Sequence, residues 1–171
     1  MQTNAIDGMS NHLITINENY SLEAAYSQML KNEIRHLPVV DAANKIVGML
    51  SDRDLLRAMR SNLNTSDLFK VESLEFDQHA KVSDYMTWPV RFVNKDSSIK
   101  VVAQRMIEEK ISSFLVTDDK TVVGILTTED CLKFLIKLLE ESSEQEVHTI
   151  DRLIYNPAFM AATSALNNAG I

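Results

Sequence analysis

The stretch KIVGMLSDRDLLRAM, residues 45–59, returns later in the same chain as TVVGILTTEDCLKFL, residues 121–135. When the two stretches are superimposed, Gly124 falls on Gly48 and Asp130 falls on Asp54. The match extends upstream, where VSDYMTWPVRFVNKDSSI (82–99) resembles AIDGMSNHLITINENYSL (5–22). A duplicated unit of this size predicts two half-domains related by a pseudo-twofold axis, with equivalent clefts between them.

The composition is that of an ordinary globular protein, with 171 residues of which 45% are hydrophobic and 24% are charged. One repeat of roughly 50–60 residues buries too little apolar surface to be comfortably stable by itself, so we expect the two repeats to share a core. The net charge of −7 argues against nucleic acid as a partner. It argues equally against binding to an anionic membrane surface.

The cysteine content and the apolar segments indicate a cytoplasmic protein. Cys131 is the only cysteine, so a disulfide framework within one chain is impossible and a reducing compartment is expected. The first ten residues lack the basic and apolar regions of a secretory signal. The strongest apolar stretch, residues 131–140, carries two lysines and is too short to span a bilayer.

Each repeat has the pattern strand, helix, strand, strand, helix. The β-rich segments HLITI (12–16) and VRFVN (90–94) are the predicted opening strands. Leu55, Leu56 and Met59 are predicted to supply the buried face of the second helix. Hydroxyl side chains stand at the expected N-cap positions of the four helices, namely Ser21, Ser51, Ser98 and Thr127. We therefore predict an α/β (α+β) fold of two β-α-β-β-α repeats packed through their sheets.

The predicted organisation has four parts. They are a first repeat (1–60), a connector (61–81), a second repeat (82–140) and a C-terminal helical tail (141–171). The connector is rich in Ser, Asn and acidic residues, with a helical turn predicted near 67–74. In the tail, Asn156 followed by Pro157 is a helix start signal.

Both repeats contain the pattern Gly, two apolar residues, Ser or Thr, two further residues and Asp. This pattern suits a ribose phosphate, because glycine permits close approach to the backbone and a helix N-terminus attracts anions. The Asp, three residues after the hydroxyl, can accept two hydrogen bonds from vicinal ribose hydroxyls. A plain helix capping box explains a single copy equally simply. The recurrence in matching context favours the ligand-binding interpretation.

These segments resemble those of tandem CBS domains, also called a Bateman module. The resemblance covers about residues 5–59 and 82–139, and it includes HLPVVD (36–41) and the MTWPV segment (86–90). It implies a regulatory module that binds adenosine compounds without catalysing a reaction and that pairs into a homodimer. AMP, ADP or ATP is the expected effector, with S-adenosylmethionine as a further candidate, and no cofactor is expected. A partner protein, not identified by the sequence, would receive the signal, and residues 140–171 are candidates for that contact.

The resemblance also implies two ligand-binding clefts, each built across the two repeats. The first cleft would use His36, Met49, Ser51, Arg53, Asp54, Thr87, Val90, Ser112 and Ser113. The second cleft would use Ser10, Leu13, Arg35, His36, Ile125, Thr127, Glu129 and Asp130. His36 and Arg53 of the first cleft have Ser113 and Glu129 as counterparts, and a carboxylate near a phosphate is repulsive. We therefore predict that a phosphorylated nucleotide prefers the first cleft.

Two other classes of function use the same fold. The chain would be a structural dimerisation or interaction module if its clefts bind nothing, and a ligand-dependent rise in melting temperature distinguishes the two cases. An enzyme acting on nucleotides is the third class, but no nucleophile–base pair recurs in the cleft segments, so we expect no catalytic residues. The four histidines show no metal-ligand spacing, so no metal site is expected.

Overall fold

The computed structural model describes residues 3–61 and 76–154, with side chains placed for 3–59 and 76–141. The chain divides into two compact units, Met1–Thr128 and Glu129–Ile171. The first unit contains both three-stranded sheets, and the second consists, in its described part, of one long helix. The turn predicted near 67–74 and the helix start at Asn156 lie outside the described residues.

The two repeats have the same succession of elements. The first comprises α1 (Ala5–Gly8), β1 (Ile16–Asn17), α2 (Leu22–Lys31), β2 (His36–Val40), β3 (Ile46–Ser51) and α3 (Asp52–Ser61). The second comprises α4 (Val82–Tyr85), β4 (Phe92–Asn94), α5 (Ile99–Glu109), β5 (Ser113–Asp118), β6 (Thr121–Thr127) and α6 (Thr128–Ile154). The predicted boundary between the second repeat and the C-terminal tail, at residues 140 and 141, falls within α6. The four predicted parts of the chain stay predictions.

The sheets confirm the predicted mixed α/β fold. In each repeat the first strand pairs in parallel with the second, and the second pairs antiparallel with the third. The sequence analysis missed the short helices α1 and α4, which precede the opening strands. It also placed those strands too early, because β1 begins only at Ile16 and β4 at Phe92.

The apolar residues on one face of the helices α2, α3 and α5 are buried, as α2 illustrates. In α2, Leu22, Ala25 and Met29 are buried, as the 3.6-residue period requires. Ser21 caps this helix by accepting a hydrogen bond from Ala24 N at 3.2 Å. Ser98 stands at the predicted N-cap position of α5, but its side chain makes no cap bond.

The prediction of a wholly buried apolar face on α3 is wrong in one position. Leu55 is buried, but Leu56 is 56% exposed. Tyr26 and Leu30 of α2 are exposed as well. Apolar side chains of α2 and α3 line an open groove, formed by Tyr26, Met29, Leu30, Ile34, Leu55, Leu56 and Met59 together with Glu33, Arg35 and Asp52. We call it the α2–α3 groove.

The two repeats exchange their opening segments. Ala5 N of α1 donates to Ser97 O in the second repeat at 2.7 Å, and Val82 N of α4 donates to Tyr20 O in the first at 2.9 Å. These bonds are pseudo-twofold equivalents. Val82 also belongs to the core of the first repeat. Each half therefore completes the other, which agrees with the expectation that one repeat is too small by itself.

No helix in the described part of the chain combines the length and the hydropathy needed to cross a bilayer.

Candidate functional site

The candidate site lies where β3 ends and α3 begins. Ser51 is the last residue of β3, and it pairs in register with His36, the first residue of β2. The antiparallel pairing therefore places the imidazole beside the N-terminus of α3, which attracts negative charge because its first amide groups are not used within the helix.

Ser51 and Asp54 form a reciprocal capping box at this point. Asp54 Oδ2 accepts hydrogen bonds from Ser51 N at 2.9 Å and from Ser51 Oγ at 2.6 Å. Asp54 N in turn donates to Ser51 Oγ at 3.3 Å. Asp54 is the one charged residue that is buried among the described residues, with 5% exposure. The capping interpretation of this motif is therefore correct for the first repeat, whatever else the carboxylate does.

The two repeats join across the same site. Met49 N donates to Thr87 O at 3.1 Å, and Thr87 N donates to Met49 O at 2.8 Å. His36 Nε2 lies 2.8 Å from Ser112 Oγ, so a side-chain hydrogen bond also connects the repeats. The site is thus built from residues of both halves.

A cleft of about 210 Å³ opens between these contacts, entirely within the first compact unit. Its lining includes all nine residues assigned to the first cleft from the sequence: His36, Met49, Ser51, Arg53, Asp54, Thr87, Val90, Ser112 and Ser113. Five further residues line it that the sequence analysis missed: Arg57, Pro89, Arg91, Lys110 and Ile111. The structure therefore brings the predicted set together, while the binding role of its members stays a prediction.

The lining of the cleft carries more positive than negative charge. Four cationic side chains, Arg53, Arg57, Arg91 and Lys110, line it beside the single carboxylate of Asp54. Arg57 Nη1 lies 3.4 Å from Asp54 Oδ1, and Arg91 Nε lies 3.4 Å from a carboxylate oxygen of Glu109. An anionic ligand entering the cleft would meet an attractive field.

The imidazole of His36 is kept uncharged by its surroundings. Burial lowers its pKa below the usual value of 6.5, and the nearby cations Arg35 and Arg53 lower it further. The carboxylates of Asp52 and Asp54 act in the opposite direction, but their effect is smaller than that of burial. At neutral pH the cleft therefore presents a neutral imidazole that is hydrogen-bonded to Ser112.

The role expected for the repeated glycine needs correction. A Cβ atom at Gly48 would collide with the side chain of Met86, and one at Gly124 would lie 2.6 Å from Met9 Sδ and 2.6 Å from the Ser10 carbonyl oxygen. Close approach to the backbone does occur at these positions. It is made by the opening segment of the other repeat, so the glycines serve the packing of the repeats and not the approach of a ligand.

The residues assigned to the second cleft are divided between the two compact units. Ser10 and Ile125 exchange two backbone hydrogen bonds of 2.9 Å, the pseudo-twofold equivalent of the contact between Thr87 and Met49. Leu13, Arg35, His36 and Thr127 lie in the same unit. Glu129 and Asp130 lie in the second unit, where Glu129 pairs with Lys133 at 2.9 Å. Because the predicted second cleft spans both units, it stays a prediction.

Among the described residues, no group of three His, Cys, Asp or Glu side chains could hold a metal ion. The chemistry that the first cleft offers is recognition: a carboxylate beside a hydroxyl, four cations, and backbone from both repeats.

Comparison with known proteins identifies the repeated unit. The family model for the CBS domain matches residues 4–61 and 82–137. A CBS domain-containing protein of Dictyostelium discoideum is 33% identical over 136 residues, which cover 77% of this chain and 90% of that protein. The solved CBS domain pair of protein MJ0100, in complex with 5′-methylthioadenosine and S-adenosyl-L-methionine, has a TM-score of 0.66 at 29% identity, over 79% of this chain and 97% of that one.

Several relatives are larger proteins. The L-aspartate semialdehyde sulfurtransferase of Methanocaldococcus jannaschii is 32% identical over 125 residues, which cover 72% of this chain but 21% of that protein. The chain spans between 21% and 41% of the length of three such curated relatives. The reactions named for these enzymes are therefore not carried over to this chain.

Proposed function

The chain belongs to the CBS-domain family, and on that premise we propose that it senses a phosphorylated adenosine compound of the AMP, ADP or ATP class, which binds in the first cleft. A CBS domain pair is a regulatory module and not a catalytic one. The related pair of protein MJ0100 holds adenosine compounds, which supports an adenosine ligand here.

The observation that carries this proposal is the charge of the cleft lining. Four cations face the cleft with one carboxylate, and they lie beside the N-terminus of α3. Such a lining favours phosphate, and it disfavours the sulfonium and ammonium groups of S-adenosylmethionine. In this proposal Asp54 accepts a ribose hydroxyl through Oδ1, because Oδ2 is already bonded to Ser51.

A regulatory role requires that the ligand change a surface that another protein reads. The cleft is formed by both repeats, so a bound ligand stabilises one arrangement of the two halves by its difference in affinity between arrangements. We propose that a partner protein reads this arrangement, with residues 140–171 as the candidate contact.

The binding experiment compares two equivalent carboxylates. We expect AMP to raise the melting temperature of the wild-type protein, and calorimetry to show a clearly weaker affinity for Asp54→Asn than for Asp130→Asn. Asparagine retains an acceptor for the α3 cap, so the variant stays folded. Equal losses in the two variants would exclude a preference for the first cleft, and a wild-type protein that binds none of AMP, ADP and ATP would exclude the proposed class of ligand.

The second candidate function is that of a dimerisation module whose clefts bind nothing. It is favoured by the capping bonds of Asp54, which give the repeated motif a structural use. In that case the protein would show no ligand-dependent melting shift at saturating nucleotide, whereas binding at a hundred times the dissociation constant adds about 2.7 kcal/mol.

We also propose that the α2–α3 groove is the homodimer contact. Three of its apolar side chains, Tyr26, Leu30 and Leu56, are exposed. Its lining also carries both signs of charge, so it can complement a second copy of itself. Leu30→Glu should convert the dimer to a monomer in sedimentation velocity. Ser27→Glu places the same charge on an exposed position of α2 outside the groove and should leave the dimer intact. A wild-type monomer would refute this contact.

A further inference from the structure

Arg57 is a cleft residue that enters the proposed function only as one of the four cations of the lining. It lies three residues after Asp54 on α3, so the two side chains share one face of the helix. Its guanidinium lies 3.4 Å from Asp54 Oδ1, and its side chain is 73% exposed. The pair joins this solvated guanidinium to the buried carboxylate of Asp54 by a single long contact, so the guanidinium can leave without being desolvated.

The position of this ion pair conflicts with ribose binding. Asp54 Oδ2 already accepts two hydrogen bonds from Ser51. A ribose hydroxyl must therefore approach Oδ1, which is the oxygen that Arg57 faces. A ligand that uses Asp54 for its sugar has to displace the guanidinium from this oxygen.

Asp54 is the ion-pair partner of Arg57 within the described ranges, 3–61 and 76–154, so a ligand phosphate offers the displaced guanidinium a new anionic partner. Arg57 lines the same cleft as Arg53, so it remains within the site after it leaves Asp54. A guanidinium donates two parallel hydrogen bonds to phosphate, a stronger contact than the single long one it gives up.

We propose that Arg57 determines the preference of the cleft for phosphorylated ligands by exchanging Asp54 for the ligand phosphate. This inference rests on the proposed function, because it requires an adenosine compound in the first cleft. An uncharged ligand breaks the Arg57–Asp54 pair and leaves the exposed guanidinium with water in place of an anionic partner. A phosphorylated ligand breaks the same pair and forms a better one.

The test measures the affinities of AMP and 5′-methylthioadenosine, which share the adenosine framework but differ in the phosphate. Calorimetry on Arg57→Gln should show AMP affinity reduced by about tenfold, the loss expected for one charge-assisted hydrogen bond, while 5′-methylthioadenosine binds as tightly as before or more tightly. Arg57→Lys should retain part of the preference because it keeps the charge. Lys120→Gln removes a positive charge from the exposed turn between β5 and β6, outside the cleft, and should leave the ratio unchanged.

Three results would overturn the inference. If Arg57→Gln weakens both ligands equally, or neither, while the wild-type protein binds AMP, Arg57 does not select for phosphate and the proposed function stands. If the wild-type protein binds 5′-methylthioadenosine but not AMP, the inference is wrong, and if it binds none of AMP, ADP and ATP, the inference and the proposed function are both wrong.

Discussion

At the scale of single residues, His36 connects the cleft to pH. Its imidazole is bonded to Ser112 of the other repeat, and burial keeps its pKa below the usual value. Because the pKa is lower in the folded state, the stabilising effect is complete above pH 6.5, the unfolded value, and is lost as the pH falls below it. Acid should therefore weaken the fold through this residue.

We predict that the free energy of unfolding falls more between pH 7.5 and pH 5.5 in the wild-type protein than in His36→Gln, as measured by urea titration at each pH. The variant also loses the hydrogen bond to Ser112, so the comparison uses the difference between the two pH values in each protein and not the absolute stabilities. Parallel pH profiles would show that His36 is not the residue that titrates.

The residues of the first cleft could be predicted largely because the chain contains two copies of the motif. Asp54 and Ser51 were identified by their repeat equivalents. Arg57 was within reach of the same reasoning, since its spacing of three from Asp54 on a helix places both on one face. Lys110 and Arg91 carried no such signal. Lys110 ends α5 in a left-handed conformation with φ of 56°, and only the folded chain brings it to the cleft.

At the scale of secondary-structure elements, each third strand carries a glycine against which the other repeat packs. The two positions differ in what a methyl group would meet. At Gly48 the three nearest atoms all belong to the Met86 side chain, which can adjust. At Gly124 it would meet the backbone oxygen of Ser10 as well as Met9, and the backbone cannot move without breaking the pairing of Ser10 with Ile125.

We expect Gly124→Ala to destabilise the protein by about 1–3 kcal/mol, the usual cost of overpacking, and Gly48→Ala to cost less. Urea unfolding of the two variants gives the comparison directly. Gly48→Ala should cost less in a Met86→Ala background than in the wild-type protein, because the shortened side chain leaves room for the added methyl group. A larger loss at Gly48 than at Gly124 would contradict this account of the contacts.

The elements that the sequence analysis missed share a physical cause. α1 and α4 each have four residues, about one helical turn, so they show no repeating apolar pattern. They form because Ala5 and Val82 are buried in tertiary contacts, and because acidic side chains at the third helical position bond back to the preceding backbone amide. The longer helices carry enough turns for their period to be read from sequence.

At the scale of the whole molecule, the exchange of opening segments makes each repeat depend on the other. Residues 3–10 contribute their hydrogen bonds to the second repeat, through Ala5, Ile6 and Ser10. A chain that lacks residues 1–10 should therefore expose the second repeat, although the deletion lies at the far end of the sequence.

Amide hydrogen exchange measures this effect. We predict faster exchange at Ile99 and Ile125 in the truncated protein, because their amides donate to Thr3 O and Ser10 O in the intact one. The amide of Leu37 in the first sheet serves as the internal reference. Loosening confined to the first repeat would show that the opening segment does not act in the way described.

The exchanged segments also bear on how such a protein is inherited. The opening segment of each repeat completes the core of the other repeat. Deleting or transferring one repeat alone would therefore expose both cores. The smallest unit that can be transferred with intact cores is the pair of repeats. A segment of this length is what this chain shares with relatives several times its size. Gene fusion would thus transfer a complete folded unit in a single event.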